Sequence, residues 1–337
     1  MSEQTLMNAI HVTAIGGPDV LEPVKIPKPV VGVQDALIQI TLASINQNDV
    51  MERTDYYRHE GEPIRETPFI LGAEGIGVVL AVGSDVTEVK PGDRVGFVMH
   101  GAQSYAEFAA LPAARLIPIP DEISDDVAAA VLVSGLSAQI MLSAYKSIKK
   151  GDTVLITAGT SALGSMLVQW ASHLGARVIA TVRSSQKADI VRGYGAVAAI
   201  NTTEEDLVPR IQQLTDGQGG DLALDAVGGD LFPQVFESLG TGGTVVPYGI
   251  VGGKQPPLDV LSLVDRSRRV AGFMLFDYLR SRSDLLERSQ QVFDAVTAGI
   301  IQPKVADTFP LIEAAQAHRQ LENSRRVGKI LLQPSHI

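Results

Sequence analysis

The chain has no cysteine among its 337 residues. That excludes disulfides, thiolate nucleophiles and every zinc site built on sulfur, and it fits a reducing compartment. Basic residues are not in excess. The 28 Lys and Arg stand against 38 Asp and Glu, a formal net charge of −10, which argues against a general affinity for nucleic acid or an anionic membrane surface. The six histidines, at 11, 59, 100, 173, 318 and 336, form no i, i+4 pair or similar chelating spacing, so no metal site is expected. The opening "MSEQTLMNAIHVT" lacks the basic start and apolar stretch of a secretion signal, and the expected location is cytoplasmic. There is no internal repeat and no low-complexity segment, hence no sign of a solenoid or a disordered tail.

One uncharged stretch, from Val127 to Tyr145, approaches the length that spans a bilayer. Ser134, Gly135, Ser137, Gln139 and Ser143 interrupt it. Two buried helical segments meeting at a bend on the Ser-Gly pair are expected instead, and no membrane association.

What is present is an ordinary globular composition, 45% hydrophobic and 20% charged. From Asn8 to about Pro120, short β-rich runs such as "ALIQITLASI", "GIGVVLAVG" and "GDRVGFVM" are separated by Gly and Pro, the pattern of an irregular β region. From Asp152 to about Phe273 the texture changes. The strands "TVLIT", "RVIAT", "LALDAV" and "TVVPYG" alternate with the helical segments "ALGSMLVQWASHL", "SQKADIVRGY", "EEDLVPRIQQL" and "FPQVFESL". Such alternation implies a parallel sheet covered on both faces. A further strand, "RVAGFML", and a helix from about Asp284 to Ala298 follow. The end, "KVADTFPL" to "GKILLQP", returns to short strands and one helix.

Between "DTVLIT" and "SMLVQWASHLG" lies the turn Ala158-Gly159-Thr160-Ser161-Ala162-Leu163-Gly164. Small residues at a strand-to-helix turn let the backbone approach a pyrophosphate, whose charge is favoured by free N–H groups at the helix start. The dinucleotide pattern G-x-G-x-x-G would put glycine at 159, 161 and 164, and the middle one is Ser161. After the next strand an NAD site would place Asp or Glu for the ribose hydroxyls. This chain has "TVRSSQK", with Arg183, Ser184 and Lys187 and no carboxylate. Those groups suit the 2′-phosphate of NADP, the guanidinium by two-pronged hydrogen bonding and the ammonium as a point charge.

The stretches "INQNDVMERTDYY", "ILGAEGIGVVLAVGSDVTEVKPGDRV", "LSAQIML", the 158–164 turn, "ALDAVGGDLF" and "NSRRVGKILL", in that order, resemble the zinc-free, quinone-oxidoreductase-like branch of the medium-chain dehydrogenase/reductase superfamily over nearly the whole length. The resemblance implies an α/β protein: a GroES-like β-rich catalytic domain, discontinuous over residues 1–126 and 297–337, with an inserted Rossmann domain at 127–296 built on a six-stranded parallel sheet. It implies NADPH in the cleft with its pyrophosphate on Gly159, Thr160, Ser161, Ala162, Leu163 and Gly164. Val227 would lie near the cofactor after the fourth Rossmann strand, and Tyr248, Gly249 and Ile250 would flank it after the fifth. Ser137 holds the place of a threonine that often contacts the nicotinamide side. Zinc-dependent relatives carry a catalytic Cys where this chain has Asn46 and a catalytic His where it has Ala73, so a metal-free enzyme is expected.

Without a metal to stabilise an alkoxide, hydride transfer favours acceptors that delocalise the incoming charge, namely quinones and C=C bonds conjugated to a carbonyl. In "INQNDVMERTDYY", Asn46, Asp49, Arg53 and Tyr57 match the polar positions of this segment in the family that the chain resembles. Asn46 is expected near the nicotinamide ribose and Tyr57, with Tyr56 as the alternative, as the donor facing the substrate oxygen. Asp49 and Arg53, four residues apart, are expected to form an ion pair that fixes the segment, and Lys329 to be structural. The expected function is NADPH-dependent reduction of a quinone or enone by a homodimer joined at the edge of the Rossmann sheet. Two alternatives stay open: an enoyl-thioester reductase, for which "DRSRRV" at 265–270 and "NSRRVGK" at 323–329 are the densest basic stretches, and an NADPH-binding protein with little turnover.

Overall fold

The computed structural model describes residues 5–59, 61–323 and 327–335; Arg325 and Arg326 of the second basic stretch lie outside them. The chain divides into two compact units, one of Met1–Val133, Arg280–Phe293 and Pro303–Ile337, the other of Ser134–Leu279 and Asp294–Gln302.

The first unit opens with β1 (Leu6–Val12), β2 (Leu21–Pro27) and β3 (Asp35–Ile45), then a short helix α1 (Gln47–Arg53). It continues through β4 (Phe69–Ile70), β5 (Glu74–Val82), β6 (Arg94–Val98), β7 (Phe108–Pro112) and β8 (Leu116–Pro118). Helix α2 (Asp125–Ala144) follows. Alternation of apolar residues in β3 buries Ala36, Ile38 and Ile40 among Val95, Phe97 and Leu116, and Ala43 joins the same core beyond a register shift between Ile40 and Leu42.

The second unit alternates β9 (Thr153–Ile156), α3 (Ala162–His173), β10 (Arg177–Val182), α4 (Ser185–Gly193), β11 (Ala198–Asn201), α5 (Leu207–Leu214), β12 (Gly220–Asp225), α6 (Phe232–Glu237), β13 (Leu239–Pro247) and β14 (Arg269–Val270). All pairings are parallel, in the order β11-β10-β9-β12-β13-β14. The strand order reverses between β9 and β12, and in open α/β sheets ligands bind beyond the carboxyl ends of strands at such a point.

Helix α7 (Arg282–Thr297) starts in the first unit and ends in the second, and the first unit closes with β15 (Val305–Pro310), α8 (Ala314–Glu322) and β16 (Lys329–Gln333). These last strands extend a sheet in the order β15-β16-β3-β5-β6-β8, with β7 also on β3, while β2-β1-β4 form a separate small sheet.

Two expectations are corrected. Residues 125–144 form one continuous helix rather than two meeting at Ser134-Gly135. The small residues are buried packing positions rather than a break: Ser134 is 4% and Ser137 3% exposed. The helix is long and apolar enough to cross a membrane by length and composition, yet 72% of that window is buried within the protein. In "RVAGFML" only Arg269 and Val270 are strand; Leu275–Tyr278 turn into a 3-10 helix. Among the described residues the strand has only β13 beside it, and it ends where that pairing ends.

Candidate functional site

In the second unit the residues singled out from the sequence, Ser137 within α2 apart, lie on the loops and first helical turns at the carboxyl ends of β9, β10, β12 and β13. The turn after β9 is tied to its neighbour: Gly159 N–H donates to Thr181 O at 3.0 Å and Ala158 N–H to Thr181 Oγ1 at 3.2 Å. Ser161, standing where the glycine pattern is broken, is the N-cap of α3 and its Oγ accepts from Gly164 N–H at 3.0 Å. A serine here therefore starts the helix, and the N–H groups of Ala162 and Leu163 in the first turn lack intrahelical acceptors as at any helix start. A Cβ on Gly164 would lie 2.3 Å from Ala158 O, so the turn is closed to any larger residue. Thr160 is buried beside it.

Beyond β10, Ser184 caps α4, its Oγ accepting from Lys187 N–H at 3.4 Å, and Arg183 is exposed just ahead of it. No carboxylate among the described residues forms an ion pair with Arg183.

Asp225, at the end of β12, is a hub that the sequence reading passed over. It is fully buried; Oδ1 accepts from Thr157 Oγ1 at 2.7 Å and Val227 N–H at 3.0 Å, and Oδ2 from Gly228 N–H at 3.1 Å. Thr157 Oγ1 in turn accepts from Ala226 N–H at 2.8 Å. The Asp225 carbonyl receives the N–H groups of Tyr248 and Gly249. Asp225 thus knits together the loops after β9 and β12 through its carboxylate and the loop after β13 through its main-chain carbonyl, and the signal for it was a charge inside the apolar run "LALDAV". Gly249 is required by this closeness, since a Cβ there would lie 2.4 Å from Ala226 O. Val227, Tyr248 and Ile250 are half-buried around it. The Tyr248 hydroxyl is buried without a hydrogen-bond partner among the described residues, and burial pushes its pKa well above the usual phenol value. A close-packed turn, open helix N–H groups and an unpaired hydroxyl fit a dinucleotide laid across these loops.

In the first unit, Asn46 precedes α1 and its side chain points inward. Its Nδ2 donates to Glu74 Oε2 at 2.9 Å, and its Oδ1 accepts from Lys329 Nζ at 2.6 Å. Lys329 Nζ also donates to Glu74 Oε2 at 2.9 Å, and Glu74 Oε1 accepts from Val133 N–H at 2.7 Å. Glu74 and Lys329 are almost wholly buried, 0% and 2% exposed. A buried ion pair of this kind persists only when its remaining hydrogen-bonding capacity is met, as here. Lys329 is held inside the fold by these bonds, and Glu74 was in view within "GAEGIG" but overlooked beside Ala73.

The expected Asp49–Arg53 pair does not form among the described residues. Asp49 folds back to accept Asn46 N–H at 2.7 Å, an otherwise unpaired donor at the helix start. Arg53 extends the other way: Nε donates to Gly16 O at 3.0 Å, Nη1 meets His318 Nδ1 at 2.9 Å and Nη2 pairs with Glu322 at 2.5 Å. Four-residue spacing on a helix permits a pair; each partner here has a better one elsewhere. Tyr57 is 52% exposed, and its hydroxyl donates to Asn48 Oδ1 at 2.8 Å and contacts Met51 Sδ at 3.0 Å. Burial of part of the ring, then the nearby Glu52 carboxylate, raises its pKa. Tyr56 meets it edge-on.

The zinc-type donor set is not present. Asn46 and Ala73 stand at the two positions, Asn46 Oδ1 is already bonded to an ammonium, and no group of three or more His, Asp or Glu among the described residues is placed to hold a metal. A dication beside buried Lys329 would be repelled.

A doubly wound sheet of this strand order, inserted in the sequence of a β-rich unit, is the arrangement of a dinucleotide-binding fold. Residues 32–121 match the alcohol dehydrogenase GroES-like domain family, and 162–291 the family described as zinc-binding dehydrogenase. The chain is 34% identical over 331 residues to a 2-haloacrylate reductase of a Burkholderia species, covering 95% of this chain and 96% of that protein. A quinone oxidoreductase of Pseudomonas aeruginosa is 32% identical, covering 96% and 99%. The structure of Escherichia coli quinone oxidoreductase complexed with NADPH superposes with a TM-score of 0.91 at 31% identity, covering 97% of this chain and 100% of that one. The chain belongs to the medium-chain dehydrogenase/reductase superfamily, in its quinone oxidoreductase-like branch, a group of oxidoreductases.

Proposed function

We propose that this protein is an NADPH-dependent, metal-independent reductase that passes hydride to a quinone or to a C=C bond conjugated with a carbonyl. The observation that carries the reading is the Asp225-centred closure of three loops at the carboxyl ends of β9, β12 and β13, with Arg183 exposed beside them. The Gly159–Gly164 turn and α3 would hold the pyrophosphate, and Arg183, Ser184 and Lys187 the 2′-phosphate. Ser137, Val227, Tyr248, Gly249 and Ile250 would line the rest. When bound, the cofactor supplies the hydride. Asn46 and Tyr57 serve the acceptor, Asn46 held rigid by Glu74 and Lys329, Tyr57 offering its O–H to the developing oxyanion. The relatives named for quinones and for a haloacrylate share an acceptor that delocalises the incoming charge.

Oxidation of NADPH and NADH, followed by absorbance against panels of quinones and enones, tests this directly. Turnover with NADPH well above NADH supports it. Tight NADPH binding with no turnover on either panel moves the weight to thioester acceptors or to a binding role, and absence of NADPH binding ends the proposal.

A homodimer and a cytoplasmic location belong to the same reading. Open edge strand β14 and the exposed Val260, Leu261, Val264 and Met274 support the dimer. Sedimentation showing only monomer at micromolar concentration would dispose of it.

A further inference from the structure

Besides the Asn46–Glu74–Lys329 cluster, the first unit buries a second line of polar groups that ends on the same segment. His318, on α8, is fully buried. Its Nδ1 lies 2.9 Å from Arg53 Nη1 and its Nε2 2.9 Å from Tyr105 Oη. A guanidinium donates and never accepts, so Nδ1 is the acceptor and the imidazole proton sits on Nε2. That N–H donates to Tyr105, whose single O–H goes on to Asp49 Oδ2 at 3.3 Å. The same carboxylate oxygen accepts Asn46 N–H at 2.7 Å. Each donor has one acceptor, and the sense of the line is set by Arg53, which Gly16 O and Glu322 hold from its other side.

We propose that His318 is a positioning residue: as the Nε2–H tautomer it joins Arg53 to Tyr105 and so fixes the Asp49 carboxylate that orients Asn46 and the start of α1. The inference rests on the reading of segment 46–57 as substrate-facing. Packing alone does not call for histidine here. Its neighbours on the buried face of α8 are Ala314, Ala317 and Leu321, an apolar stripe that a leucine or phenylalanine would continue. Burying an imidazole is costly unless both nitrogens are bonded, and here both are. Desolvation, then the Arg53 charge, lowers the His318 pKa to about 3, so the imidazole stays neutral across neutral pH.

Nitrogen-15 NMR of the histidine rings in the full-length protein is the first test. A His318 signal of the Nε2–H tautomer that does not titrate between pH 5 and 8 supports the proposal. An Nδ1–H tautomer, or titration near the ordinary value of about 6.5, overturns it, whatever the acceptor turns out to be. The second test is kinetic. Tyr105→Phe and His318→Phe should each lower kcat roughly tenfold, the worth of one buried hydrogen bond, with the NADPH dissociation constant within about twofold of wild type. His318→Gln, which can present an acceptor and a donor in the same sense, should recover most of the loss. The double variant should be no slower than either single one. Full kcat in Tyr105→Phe, or a loss that only follows the folded fraction, overturns the role. If the tautomer is as stated but neither wild type nor variants turn over while all bind NADPH, it is the functional reading that falls, and the role with it, leaving the hydrogen-bond order intact.

Discussion

The hydroxyl of Thr157 donates to the Asp225 carboxylate at 2.7 Å, joining the end of β9 to the end of β12 where the strand order of the sheet reverses. Both side chains are fully buried, so the bond is shielded from water. Thr157→Val removes the donor and leaves Ala226 N–H without its acceptor. A loss of about 1–3 kcal/mol is expected in urea unfolding, together with weaker NADPH binding by fluorescence titration. Unchanged cofactor affinity would show that the knitted loops do not carry the dinucleotide.

Arg183 is exposed at the head of α4. Arg183→Ala should lower kcat/KM for NADPH by about 10–100-fold, the range for losing charge-assisted hydrogen bonds to phosphate, and leave that for NADH nearly unchanged. Equal losses with both cofactors would place Arg183 outside 2′-phosphate recognition.

Lys329 and Glu74 neutralise one another out of contact with solvent. Lys329→Met strands a buried carboxylate and should cost about 3–5 kcal/mol by chemical denaturation. The paired change Lys329→Met with Glu74→Gln should recover part of that, because it removes the orphan charge. No recovery would mean that the ammonium matters chiefly through Asn46.

Two neighbouring groups titrate against each other. Burial pushes the Asp49 carboxyl up to about 7, helped by an Oδ1 that is buried without a hydrogen-bond partner among the described residues. The folded state then holds a proton that the unfolded chain has released, so this group's stabilisation is complete below about pH 4 and is lost as pH rises to about 7. His318, lowered to about 3, works in the opposite sense: its contribution is complete above about pH 6.5 and is lost as pH falls towards 3. Between about pH 4 and 6.5 the two slopes cancel. Asp49→Asn should unmask a stability that rises with pH by up to about 1.4 kcal/mol per unit relative to wild type, and His318→Gln one that falls. Urea unfolding at pH 4.5, 5.5 and 6.5 measures both, and parallel curves for the two variants would contradict the assignment.

Much of the architecture was legible in the residues because it is written locally. Runs such as "TVLIT" and "RVIAT" fall on the strands they resemble, whereas the capping roles of Ser161 and Ser184 were not read from the sequence. The bend expected at Ser134-Gly135 was wrong because small residues mark close packing as readily as a break. The Asp49–Arg53 pair was wrong because helical spacing states which groups can meet, not which have a stronger partner. Asp225, Glu74 and Tyr105 escaped notice for another reason. Their partners are 56 to 255 residues distant in several bonds, and no local pattern reveals a pairing across that span. His318 left a faint trace, a polar residue on the apolar face of α8.

The separation between Asn46 and Lys329, 283 positions, also bears on how the molecule comes into being. During synthesis the amino-terminal part of the first unit emerges long before α8 and β16. Until they arrive, Arg53 lacks His318 and Glu322, and Glu74 lacks its ammonium. Ordering of segment 46–57 therefore waits for the C-terminal elements, while the second unit, whose sheet pairs within residues 153–270, can complete itself on the ribosome. A nascent chain stalled before residue 314 would carry the strands of the parallel sheet and a segment 46–57 still without its C-terminal partners.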